Sequence, residues 1–148
     1  MTGKYIDIQA ADGSGQFRGY LATPEVGSGP GILLLQEIFG INWHIRDVAD
    51  YYAEEGYTVL APDLFWRMEP DVELGYSEEE FQKAFGFYQQ FDIAKAIEDM
   101  QASASALRSH DACSPAIFLA VPPPAFGGPP GGCSFAAPSP CFCRPPAS

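Results

Sequence analysis

Apolar and polar positions alternate along residues 4–9 (Lys-Tyr-Ile-Asp-Ile-Gln), the period of a strand with one buried face. Ala11-Asp12-Gly13-Ser14-Gly15 is a turn cluster, and Phe17–Ala22 reads as the returning strand of a hairpin. Residues 23–30 have loop composition. Gly31–Gln36 is a short, continuous apolar run, the pattern of a strand covered on both faces. The period then changes. Ile45, Val48, Ala49 and Tyr52 recur at helical spacing across residues 42–55, with Arg46, Asp47, Asp50 and Glu54 opposite. Asn42 is placed to cap this helix and Gly56 to end it. Tyr57–Ala61 is the next buried strand, which completes a βαβ unit.

Residues 62–76 form a long loop. Ser77-x-x-Glu80 is a capping box, and Phe81, Ala84, Phe85 and Tyr88 make the stripe of the helix it opens. Asp92 caps another helix, with Ile93, Ala96, Ile97, Met100, Ala104 and Leu107 facing inward. The order predicts an α/β fold in which an antiparallel hairpin feeds a parallel sheet. Ligands of such sheets sit beyond the carboxyl ends of the strands. Two loops qualify, residues 36–42 and residues 62–67.

Composition narrows the function. The 148 residues, one domain's worth, carry 8 basic and 19 acidic side chains, a net charge of −11. Such a surface excludes phosphate-backbone binding, so no nucleic-acid partner is expected. No apolar run approaches the roughly 20 residues of a membrane span, and no apolar signal core opens the chain. The expectation is a cytoplasmic enzyme with a small-molecule substrate.

Composition also divides the chain. All 19 acidic residues lie at or before Asp111. From Ala112 onward Arg144 is the only charge, and the stretch holds all four cysteines (Cys113, Cys133, Cys141, Cys143) and ten of the fourteen prolines. Residues 1–111 are therefore read as the α/β part. Residues 112–148 are read as an irregular Pro/Ala/Gly/Cys-rich tail, which has the composition of an out-of-frame translation. The alternative is a genuine Pro-rich interaction segment.

Gln36-Glu37-Ile38-Phe39-Gly40 between buried strand and helix, His44-Ile45-Arg46-Asp47-Val48-Ala49, Glu55-Gly56-Tyr57 and Ala61-Pro62-Asp63-Leu64-Phe65 together resemble the dienelactone hydrolase (carboxymethylenebutenolidase) family. The resemblance runs from about residue 4 to residue 110. It implies the N-terminal portion of an α/β-hydrolase sheet, needing no cofactor or metal and acting on small lactones or esters. It further implies a Cys-His-Asp triad with the cysteine on a G-x-C-x-G elbow. Glu37 takes the role of the carboxylate that contacts and activates the thiol. The backbone N–H of Ile38 takes that of an oxyanion donor.

No G-x-C-x-G occurs in this chain; Gly131-Gly132-Cys133-Ser134-Phe135 is the nearest imitation. No Asp, Glu or His follows residue 111, so the triad is expected to be absent and the chain truncated and inactive. Without the following strand, the Gly31–Gln36 strand is expected to lie at an open apolar edge. The non-catalytic alternative is a fragment that associates through that sheet.

Other residues carry weaker signals. His44 reads as a solvated or capping side chain and His110 as a helix-end residue. Cys141-x-Cys143 lacks the C-x2-C spacing and histidines of a zinc site. Phe65, Trp66, Phe81, Phe85 and Tyr88 line a substrate pocket or cover the core. The helix stretch Phe81-Gln82-Lys83-Ala84-Phe85 lacks the arginine that the resemblance associates with a substrate carboxylate. Gly13-x-Gly15 belongs to a hairpin turn rather than a dinucleotide site.

Overall fold

The computed structural model describes residues 3–25 and 27–122. The elements in order are β1 (Lys4–Gln9), β2 (Gln16–Ala22), β3 (Gly29–Leu34), α1 (Trp43–Glu54), β4 (Thr58–Pro62), α2 (Glu78–Gln90), α3 (Ile93–Arg108) and β5 (Cys113–Ala120). They build one mixed sheet in the order β1-β2-β4-β3-β5. β1 and β2 form the antiparallel hairpin, β2 runs antiparallel to β4, and β3 is parallel to both β4 and β5.

The two faces of the sheet are covered separately. α1 presents Ile45, Val48, Ala49 and Ala53 to Ile32, Leu34, Val59 and Ala61. On the other face Leu107 of α3 joins Ile8, Phe17, Leu21 and Leu60. Val59 and Ala61 therefore point one way and Leu60 the other, as strand alternation requires. Both faces of β4 are buried, so its sequence is apolar apart from Thr58, whose hydroxyl donates to the Ala112 carbonyl.

Helix starts follow the sequence. The Asn42 carboxamide accepts the Ile45 N–H at 3.3 Å, the Ser77 hydroxyl accepts the Glu80 N–H at 3.3 Å, and Asp92 accepts that of Lys95 at 3.2 Å. The Glu80 carboxylate accepts the Gly75 N–H and the Ser77 hydroxyl, drawing the preceding loop onto α2.

Several expectations are corrected. Residues 113–120 are not irregular but form β5, so β3 is an interior strand and, among the described residues, β5 takes the edge. Pro115 has no N–H for a ladder. It is accommodated because the register slips there: Ser114 faces Pro30 and Ile117 faces Gly31, with two residues bulged out. On α2 only Ala84 is buried. Phe81, Phe85 and Tyr88 are exposed, while Phe87 and Phe91 turn inward against Phe65. On α3 Ile93 and Ile97 are exposed, and Asp99 and Ser103 lie in the buried face.

Asp99 is buried because its charge is matched. Arg67 donates Nε to Oδ2 at 2.9 Å and Nη2 to Oδ1 at 2.8 Å, and the Trp66 indole N–H donates to Oδ2 at 2.9 Å. Arg67 also reaches Asp12 at 3.0 Å in the hairpin turn. The Trp66 ring stacks on Phe17. One cluster thus ties hairpin, β4 loop and α3 together.

Candidate active site

The site grows from the carboxyl ends of β3 and β5. Leu34 sits opposite Ala120, and the Leu35 N–H donates to the Ala120 carbonyl at 2.9 Å. The chain leaving β5 therefore starts beside the Gln36–Gly40 loop.

That loop is a tight turn. The Gly40 N–H donates to the Glu37 carbonyl at 3.2 Å. Gly40 has φ +79°, and a Cβ there would run into the Val72 carbonyl. Glycine is required at this corner both for its backbone angle and for the close approach. Ile38, the residue with the expected oxyanion N–H, sits at the corner with its side chain against the Phe65, Val72, Leu74 and Ala84 cluster. The Gln36 carboxamide accepts the Leu64 N–H at 2.8 Å and donates to the Glu37 carbonyl at 3.2 Å. The loops following β3 and β4 are thereby fixed to each other.

Glu37 is half-buried. The Tyr76 hydroxyl donates to its Oε2 at 3.3 Å. Asn42 Nδ2 donates to the Tyr76 oxygen at 3.2 Å and to the Leu74 carbonyl at 3.0 Å. Asn42 thus caps α1 with its oxygen and holds the residue 74–76 segment with its nitrogen. Burial, reinforced by the Glu37 carboxylate, raises the Tyr76 phenol above its ordinary value and keeps it a donor. Around this line the Leu74 N–H donates to the Phe39 carbonyl at 2.9 Å, and Arg46 bridges the Ile41 carbonyl and Glu73.

Asp63 closes the second loop. Its Oδ1 accepts the Phe65 N–H at 3.0 Å and its Oδ2 the Asp71 N–H at 2.8 Å. The residue is 3% exposed, and burial lifts its carboxyl to about 6 against the pull of those two donors. It borders a cleft of about 160 Å³ with Arg18, Asp71 and Glu73. Asp71 itself has φ +58° and pairs with Arg18 at 3.1 Å.

The structure separates the sequence candidates. Glu37 and Ile38 lie together at the sheet end. His44 is not solvated: it is 1% exposed in the first turn of α1, edge-on to Trp43. His110 lies past α3, where its Nδ1 accepts the Ala112 N–H. Cys113 is at the opposite, amino end of β5, and burial raises its thiol above the ordinary value. Cys133, Cys141 and Cys143 lie outside the described residues. Among the described residues no cluster of His, Cys, Asp and Glu could hold a metal. Phe65 and Trp66 serve the core; Phe81, Phe85 and Tyr88 do not. Sequence reasoning missed Tyr76 as the partner of Glu37, since a tyrosine just before a helix cap carries no signal by itself. It also missed the second role of Asn42, although burial of a capping asparagine leaves its nitrogen in need of an acceptor.

Residues 17–120 match the model of the dienelactone hydrolase family. The chain belongs to that family. The match continues through β5, past the change in composition at residue 112. A candidate carboxymethylenebutenolidase of Azospirillum brasilense is 42% identical over 92 residues, which cover 61% of this chain and 39% of the relative. A carboxymethylenebutenolidase of Pseudomonas sp. strain P51 is 32% identical over 110 residues, 74% of this chain and 46% of the relative. The chain thus spans less than half the length of these curated relatives. The crystal structure of a candidate dienelactone hydrolase from Klebsiella pneumoniae shares the fold, with a TM-score of 0.64 at 23% identity, over 82% of this chain and 50% of that one. No helix among the described residues is long and apolar enough to cross a membrane.

Proposed function

We propose that this dienelactone hydrolase family chain carries the carboxylate half of a site that hydrolyses small esters or lactones. Glu37 is the group that contacts and activates the nucleophile, and the Ile38 N–H is one oxyanion donor. The observation that carries this reading is the position of Glu37: half-buried, held by the Tyr76 hydroxyl, in the loop that adjoins the end of β5. In a chain that carries a nucleophilic cysteine immediately after β5, the thiol would enter beside this carboxylate. Free cysteine has a pKa of about 8.5 and is mostly protonated at neutral pH, so a neighbouring base raises its thiolate fraction.

Residues 1–148 contain no G-x-C-x-G elbow and no Asp, Glu or His after residue 111. On this reading they do not turn substrate over alone. Purified chain is assayed on p-nitrophenyl acetate before and after iodoacetamide treatment, with equal background rates expected. Turnover that alkylation abolishes would place the nucleophile among Cys113, Cys133, Cys141 and Cys143 and overturn the assignment.

One observation favours a second reading, a non-catalytic association module. Leu119 and Val121 at the β5 edge are 61% and 73% exposed, beside an apolar groove of about 280 Å³ bordered by Ile97 and Met100 of α3. Sedimentation of the chain separates the readings, because only the module requires a defined stoichiometric assembly.

A further inference from the structure

Two exposed rings, Trp43 and Phe81, join half-buried Phe39 and Tyr76 in a chain of ring contacts that reaches Glu37 through Tyr76. Tyr76, whose hydroxyl bonds that carboxylate, meets Phe39 edge-on at 4.6 Å and Trp43 edge-on at 6.2 Å. Phe39 continues to Phe81 at 6.2 Å. Trp43 is 49% exposed and Phe81 46%. The rings come from three separate places: the loop after β3, the N-terminus of α1, and α2 with the residue before its cap. Core demand does not explain their exposure, because Ala84, Phe87 and Phe91 already seal α2 against Phe65.

The charges beside this shelf are one-sided. Glu37 is at its inner end. The cations on the two contributing helices are engaged: Arg46 binds Glu73 and the Ile41 carbonyl, and Lys83 pairs with Glu69 at 3.5 Å and lies over the Phe87 ring. A substrate carboxylate laid on the rings meets a like charge and displaces an existing ion pair to gain an opposite one. A neutral aromatic ring meets ring edges and faces at no such cost.

We infer that this shelf is an aryl-binding subsite, and that the site takes uncharged aryl esters or aryl-substituted lactones in preference to carboxylated ones. The inference rests on the proposed role of Glu37 only for where the reacting carbonyl lies. The aryl group stands on Phe39, Trp43 and Phe81, which orients its ester carbonyl toward the Glu37 loop.

The test uses two non-hydrolysable probes of equal size, 4-acetylbenzamide and 4-acetylbenzoate, titrated into the full chain by saturation-transfer NMR. The neutral probe is expected to bind about fivefold more tightly than the anion, the size of one partly screened like-charge contact. Trp43→Ala and Phe81→Ala each weaken it about fivefold, while Trp43→Phe and Phe81→Tyr retain it. Both positions are solvent-exposed, so circular dichroism melts of the variants match the parent chain. Glu37→Gln narrows the gap between probes. Equal binding of the two probes, or binding indifferent to both alanine variants, overturns the inference. A chain that binds the probes this way but lacks hydrolysis even when a nucleophile is supplied contradicts the catalytic reading of Glu37 and not the shelf. Equal probe binding with Glu37-dependent hydrolysis does the reverse.

Discussion

The Arg67 guanidinium grips the Asp99 carboxylate through two parallel hydrogen bonds, at 2.9 and 2.8 Å, on the buried face of α3. Asp99 is fully buried and Arg67 only partly so. The family motif after β4 is thereby clamped to α3, and through Asp12 to the hairpin turn. This clamp, with the Gln36–Leu64 and Asp63–Asp71 hydrogen bonds, holds the long loop after β4 in shape.

Asp99→Ala takes the acceptor from the Trp66 N–H and two bonds from Arg67, which keeps Asp12 and Ser14, and about 2 kcal/mol of stability is expected to be lost. Urea denaturation checks this. A loss smaller than that of an ordinary surface substitution would show that the clamp contributes nothing net.

Asp63 gives the chain a pH signature. Its carboxyl is raised from 3.8 to about 6, with burial the largest cause. The folded chain therefore binds this proton more tightly than the unfolded chain does. The stabilisation is fully present below about pH 4 and is lost as pH rises to about 6, roughly 3 kcal/mol in all. The difference in unfolding free energy between the parent chain and Asp63→Asn, measured across that window, should change with this sign and flatten above it. A difference independent of pH would contradict the shift.

Gly40→Ala places a Cβ against the Val72 carbonyl at a positive φ. Strain and clash together are expected to cost at least about 2 kcal/mol. Thermal melts report it, and an unchanged melting temperature would mean the turn relaxes freely.

Much of this was legible from the pattern of residues. Hairpin, βαβ unit and all three helix caps follow from period and turn chemistry, because each is decided within a few residues. β5 was obscured by composition: Pro115 and the uncharged stretch around it look irregular until the register slip at Gly31 is seen. The faces of α2 and α3 depart from the apolar pattern for a related reason. Phe81 and Ile97 are as apolar as core residues, and Asp99 is as polar as surface ones. Only the positions of Arg67 and Trp66 reveal that a carboxylate belongs inside. At the candidate site, QEIFG singles out Glu37 and Ile38, whose roles remain the proposal made above. The hold of Tyr76 on Glu37 depends on loop closure 39 residues away in sequence, which no local pattern encodes.

The proposed role of Glu37 as the activating carboxylate is tested most directly by a chimera. Residues 1–120 are joined to the second half of the Pseudomonas sp. strain P51 carboxymethylenebutenolidase, and p-nitrophenyl acetate hydrolysis is followed with Glu37 and with Glu37→Gln. The expected result is alkylation-sensitive turnover that falls about a hundredfold in the glutamine variant, the scale of losing an activating base. A folded, active chimera whose rate is indifferent to Glu37→Gln would contradict it.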